Sequence, residues 1–270
     1  MLGWIIYSHS YLDDVRIYQE ILKKVFAKEF EGIYILHSYN GEKKYGYQKY
    51  LEDKLIKLPN SGHIKGCASQ INSGVNYFNE HQKRIKYVVV TAADTWLLYP
   101  EFIKDIIVDL DYNKQVLAAS SWMGNAYELP RGLSTDFFII NMEWNRKSRL
   151  FPFDFDEYVV KLKDIHYLNW AVPIVETALQ YYYQKYFAET FDGLEAMYQA
   201  QNKFRRIIER EPVHNERSLR KENWEHLGLY TTNNPYEKQK TLQKLNYDFG
   251  YYSHKLITSQ DLSYYNNVGK

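Results

Sequence analysis

An α/β fold is predicted for this chain: a mostly parallel sheet flanked by helices, followed by a helical C-terminal extension. Three observations point there. Short runs of β-branched and aromatic residues recur through residues 1–150, the clearest being Tyr87 to Val90, read YVVV. Between these runs lie segments with apolar residues at helical spacing, such as Val15, Tyr18, Ile21, Leu22, Val25 and Phe26. The runs end in polar, turn-forming residues, and sheets of this kind bind ligands at the carboxyl ends of their strands.

In chain order, Gly3 to Tyr7 is short and apolar and reads as a buried strand, ending in Ser8, His9 and Ser10. Ser10 and Asp13 resemble a capping box that starts a helix over Leu12 to Phe30. Gly32 to Leu36 is a second strand, closed by the turn-rich His37–Gly41. Tyr45 to Leu58 reads as a helix stopped by Pro59. Gly66 to Phe78 reads as a loop leading into a helix. Tyr87 to Val90 is a strand that delivers Asp94 at its end. A helix over Pro100 to Leu110 follows, then strands over Gln115 to Ser120 and Asp136 to Asn141. Beyond Leu150 the pattern turns helical, over Asp154 to Lys163, Pro173 to Phe187, Glu195 to Arg210 and Glu216 to Leu227.

Composition narrows the function classes. A chain of 270 residues buries enough surface to fold without disulfide or metal staples. The net charge of +1 gives no global field for nucleic acid or anionic lipid. The single cysteine, Cys67, excludes an intramolecular disulfide and suits a reducing cytoplasm. The opening MLGWIIYSHS lacks the basic region and apolar core of a signal peptide, and no stretch reaches the ~18 apolar residues of a membrane span. A cytoplasmic protein is expected. Neither G-x-x-x-x-G-K-[ST] nor G-x-G-x-x-G occurs. The 27 tyrosines offer flat faces with a hydroxyl, suited to stacking on sugars or bases as well as to packing.

A carboxylate at a strand end is a place to hold magnesium or manganese against a diphosphate, since both take one or two protein carboxylates plus phosphate oxygens. Asp94 is such a carboxylate. Four ordered features surround it: the first strand with its Ser8–Ser10 end, the second strand Ile33 to Leu36 with its polar end, the segment Gly66 to Gly74 containing Asn72, and the strand after Ser134 to Asp136. In order and spacing these resemble the GT-A glycosyltransferases, particularly the family 2-like group, over about residues 3–145. One departure is plain. The family's Asp-x-Asp reads Ala92-Ala93-Asp94 here, so only the second carboxylate is present.

The resemblance implies a Rossmann-like GT-A core over residues 1–150 that binds a nucleotide-sugar. It also implies an acceptor-side helical extension, 151–270, packed on that core. The implied activity is transfer of a sugar from a nucleotide donor, UDP-sugar favoured, to a hydroxyl acceptor, with manganese or magnesium on Asp94 and His226. Donor contacts are expected from Ser8, His9, Ser10, His37, Asn40, Asn72, Gly74, Thr91, Ala92 and Arg131. An inverting transferase needs a base for the acceptor hydroxyl. Glu176, near a helix start set by Pro173, fills that role, with Asp136 the second candidate. Ala92 keeps open a metal-independent enzyme and a GT-A-like binding protein without turnover. A nucleotidyltransferase and a nucleic-acid acceptor are further alternatives, the latter disfavoured by the near-neutral charge. Donor base and sugar, acceptor, stereochemistry and oligomeric state are not written in the sequence.

Overall fold

A computed structural model of the chain describes residues 1–10, 12–41, 49–121, 133–161, 174–190, 204–206 and 229–231. Its elements in order are β1 (Leu2–Ser8), then α1 (Leu12–Ile21), which runs through a π turn (Leu22–Phe26) into α2 (Ala27–Glu29). Next come β2 (Ile33–Tyr39), β3 (Lys54–Lys57), α3 (His63–His81), β4 (Tyr87–Ala92), β5 (Thr95–Leu97) and α4 (Pro100–Tyr112). The remainder is β6 (Leu117–Ser121), β7 (Leu133–Asn141), α5 (Met142–Ser148), α6 (Phe155–Lys161), α7 (Val175–Thr190), β8 (Phe204–Arg206) and β9 (Leu229–Thr231).

Seven strands form one sheet in the order β3-β2-β1-β4-β7-β6-β8, and β5 pairs with β9 in a second. The pairs β2–β3, β1–β2, β1–β4 and β6–β8 are parallel. Strand β7 runs antiparallel to both its neighbours, β4 and β6. The expected mostly parallel sheet flanked by helices is therefore observed, with β7 reversed. That reversal changes which residues meet at the rim. The amino end of β7 reaches the same rim as the carboxyl ends of β1 and β4. Thr91 pairs with Phe137, so one residue further on Asp136 stands level with Ala92.

The period-two alternation of a strand divides the core into two layers. Trp4 and Ile6 of β1 pack with Val15, Tyr18, Phe26 and Ile103, from α1, the π turn and α4. Ile5 packs on the other face with Ile71, Val75 and Phe78 of α3 and with Leu179 of α7. Helix α3 lies so close to β1 that a Cβ on Gly74 would stand 2.9 Å from Ile5. A Cβ on Gly66 would stand 2.2 Å from the Asn40 amide nitrogen.

Several expectations need correction. Residues 49–58 are not helical; Lys54–Lys57 is an edge strand parallel to β2. Asp53 sets it there, because its backbone N–H donates to Ile35 O at 2.8 Å and its carboxylate accepts from Ile35 N at 2.7 Å. Long-range pairing of this kind overrides local helix propensity. Strand β2 continues through His37 and Ser38, expected as turn, because Ser38 pairs with both Tyr7 and Ile56. Helix α3 begins at His63 and includes Gly66, so that segment is no loop. Within the expected helix Glu195 to Arg210, residues Phe204–Arg206 form a strand beside β6. The expected capping box, through the Asp13 side chain, and the helix over Glu216 to Leu227 lie outside the described residues. Among the described residues, no helix is long and apolar enough to cross a membrane.

Candidate active site

The carboxyl ends of β1, β2 and β4 carry the polar residues singled out in the sequence, but two kinds of environment divide them. Ser8, His37 and Thr91 turn inward. Ser8 Oγ lies 2.7 Å from His37 Nε2, and both residues are buried. Thr91 Oγ1 accepts a hydrogen bond from Trp4 Nε1 at 3.2 Å and is fully enclosed. Their polarity is used inside the protein, where an unpaired polar group is costly. His9 and Ser10 stand at the rim. His9 is exposed, and its Nδ1 lies 3.3 Å from Oδ1 of the buried Asn40. Ala92 is buried and pairs with Tyr7.

Gln70 ties these ends together, and sequence reasoning missed it. Its amide donates to Ser8 O, and to Ser38 O at 2.9 Å, locking β1 to β2. The available signal was its position between Gly66 and Gly74, one helical turn from each, on the side of α3 that meets the sheet.

Burial pushes the His37 imidazole from 6.5 down to about 3, so the ring is neutral at pH 7. The Glu52 carboxylate, 4.0 Å from Nδ1, is therefore not half of an ion pair at that pH. The consequence for stability has a definite sign. The unfolded chain protonates His37 near pH 6.5 and the folded chain only near 3. Stability is thus complete above pH 6.5 and falls as the pH drops toward 3, by a few kcal/mol on the order of 1.4 per pH unit. Urea midpoints at pH 7 and pH 4 should differ less in His37→Gln than in the wild type.

A second cluster forms where β1, α3, β7 and α7 meet. Thr135 Oγ1 donates to Glu176 Oε1 at 2.6 Å, and Tyr7 OH donates to Thr135 O at 3.2 Å. Burial raises the Tyr7 phenol well above its ordinary range, and the Asp136 and Glu176 carboxylates add to the rise. Burial likewise raises the Cys67 thiol, followed by the Glu176 charge and, more weakly, that of Asp136. Both groups stay protonated at neutral pH. Asp136 follows Thr135 on β7, so the Thr135–Glu176 hydrogen bond holds the start of α7 against the stretch of β7 that carries Asp136. Each carboxylate is half-buried. Glu176 sits in the first turn of α7, as expected, where the helix dipole favours its charge. The sequence pointed to Asp136 and Glu176 but not to Tyr7, Cys67 or Thr135. Those three lie on elements that only the tertiary structure brings together.

Asp94 occupies the turn between β4 and β5 and is half-buried. Among the described residues, no group of three or more His, Cys, Asp and Glu side chains gathers to hold a metal. The donor set at this strand end is one carboxylate. That fits magnesium or manganese when diphosphate oxygens and water complete the shell. His226 and Arg131 lie outside the described residues. Asn72 and Gly74 are placed away from the strand ends. Asn72 donates to Phe153 O at 2.8 Å and accepts from Phe153 N at 3.1 Å, while Gly74 packs against Ile5.

No family model matches the chain, and no curated protein matches it. Solved structures do resemble it. Residues 1–349 of S. aureus TarS share 14% identity over 56% of this chain and 49% of that one, with a TM-score of 0.38. This chain thus spans about half the length of that 1–349 chain. The catalytic domain of Drosophila beta1,4galactosyltransferase 7, in complex with xylobiose, shares 11% over 60% of each chain, with a TM-score of 0.35. An active-site mutant of LgtC shares 10% over 79% of this chain and 90% of that one, with a TM-score of 0.42.

Proposed function

We propose that the protein transfers a sugar from a nucleotide-sugar, UDP-sugar favoured, to a hydroxyl acceptor. The observation that supports this most is the hydrogen bond from Thr135 to Glu176, beside Tyr7 and with Asp136 next along β7, at the sheet rim where the turn after β4 carries Asp94. Such a rim is where open α/β sheets bind their ligands. The acceptor oxygen attacks the anomeric carbon, the bond from that carbon to the diphosphate oxygen breaks, and the acceptor proton passes to a carboxylate. Glu176 is the base, its carboxylate oriented by the hydrogen bond from Thr135. Asp136 is the second candidate. His9, Ser10 and Asn40 line the donor side. Arg131 would add positive charge toward the diphosphate. Asp94, with His226 as the second ligand, would hold the divalent cation, which neutralises charge on the leaving diphosphate when bound.

A second reading has its own observation. Ala92, which the GT-A resemblance would align with the first motif carboxylate, is buried and pairs with Tyr7. A protein that binds the donor without turning it over fits that position.

The test is donor binding and hydrolysis with UDP- and GDP-sugars, with and without manganese. Wild type should bind and turn over at least one of them. Asp94→Ala should lower turnover about 100-fold or more, as loss of a charge-stabilising group does. Full activity in Asp94→Ala would overturn the role of Asp94. Binding without turnover across an acceptor panel would favour the second reading.

A further inference from the structure

A cavity of about 340 Å³ opens on the flank of α3, between Lys65, Ser69 and Asn72 and the segment Pro152–Asp156 that leads into α6. Its walls are braced. The Asn72 amide makes two hydrogen bonds with the Phe153 backbone. Tyr182 OH donates to Asp154 O at 2.7 Å, and the Asp154 carboxylate accepts from Glu157 N at 2.9 Å. The buried Phe153 ring packs 5.5 Å from Phe151 and 5.6 Å from Tyr182. The cavity is therefore formed before any ligand arrives, which lowers the cost of binding. Its volume lies within the ~300–1,000 Å³ range of small-ligand sites.

The lining chooses among ligand classes. Phe155 is half-buried and presents an aromatic ring. Ser69 brings a hydroxyl, Asp154 and Asp156 bring carboxylates, and Lys65 is paired with Asp156 at an exposed rim. An apolar ligand would strip water from the hydroxyl and the carboxylates without replacing it. An anionic ligand would meet two carboxylates against one ammonium. An uncharged ring with one apolar face and many hydroxyls satisfies both kinds of wall.

We propose that this cavity is a subsite for an uncharged saccharide unit, belonging to an acceptor longer than its reacting sugar. The proposal rests on the glycosyl-transfer reading for its role, though not for its occupant. Helix α7 connects the two places: it carries Glu176 in its first turn, and further along it Tyr182 braces Asp154 at the cavity wall. An acceptor chain seated in the cavity would be gripped away from its reacting sugar.

The test is saturation-transfer NMR on the full chain with cellobiose, maltose and N,N′-diacetylchitobiose at millimolar concentration, without any donor. At least one disaccharide should receive saturation from the wild type. Ser69→Trp, which fills the cavity from a half-buried helix position, should abolish the signal. Phe155→Ala should weaken binding about tenfold through loss of the ring face. No signal from any of the three disaccharides would overturn the proposal, as would signals that survive both substitutions. Sugar transfer by a protein that binds none of the three would sink the subsite and leave the glycosyl-transfer reading standing. Disaccharide binding by a protein that binds no nucleotide-sugar would do the reverse.

Discussion

Glu176→Gln is expected to lower sugar transfer by about 10²–10⁴-fold, the usual worth of a positioned general base. The amide keeps the shape of the carboxylate and the neighbourhood of Thr135, but it cannot take the acceptor proton. Donor affinity should stay close to that of the wild type, because the loss falls on the chemical step. Steady-state kinetics should therefore show a drop in kcat with KM nearly unchanged. Thr135→Val is the companion variant. It deletes the 2.6 Å bond to Glu176 Oε1 and loosens the hold on the carboxylate. Its expected loss is smaller, about tenfold, and Thr135→Ser should restore most of it. Unchanged kcat in Glu176→Gln would remove Glu176 as the base and move the role to Asp136. A Thr135→Ser variant no better than Thr135→Val would mean that the hydroxyl does not orient the carboxylate.

Trp4→Ala should have the largest effect on stability. Trp4 is fully enclosed on β1, edge-on to Tyr18 at 5.9 Å and to Phe26 at 5.3 Å. Its indole N–H also satisfies Thr91 Oγ1. Truncation opens a cavity at the centre of the first core layer and costs about 3–5 kcal/mol. For a chain of this size that lowers the Tm by roughly 10 °C. Trp4→Phe refills most of the volume and leaves mainly the missing donor to Thr91, so about 1–2 kcal/mol is expected. Urea unfolding of the two variants beside the wild type checks both values. Equal losses in the two would mean that the hydrogen bond, and not the volume, carries the stability.

The legible parts of the fold were those whose own pattern is strong. Tyr87 to Val90 is β-branched and apolar on both faces, and it forms the buried β4. Pro100 starts α4 as its fixed φ favours, and the apolar spacing from Val15 to Phe26 became one continuous helical run. Lys54–Lys57 was not legible. A strand that short at a sheet edge has little pattern of its own, and its state depends on Asp53 meeting Ile35. Gly66 and Gly74 misled in a related way. Glycine usually marks a loop, yet here both sit inside α3 because Asn40 and Ile5 leave no room for a Cβ.

By itself the sequence determined the class of the fold and the strand that leads to Asp94, and it offered Asp136 and Glu176 as candidate carboxylates. These follow from local periodicity, from residue chemistry and from the order of elements along the chain. The tertiary structure alone decided which polar residues stand at the rim and which are buried. It turned Ser8, His37 and Thr91 into the core, where their hydrogen bonds close on each other and on Trp4. It reversed β7, which carries Asp136 to the rim shared with β1 and β4. It set Thr135 against Glu176 and placed Tyr7 and Cys67 beside them. The physical reason is that sheet register and strand direction depend on pairing between distant segments. A one-residue slip would send each of these side chains to the opposite face.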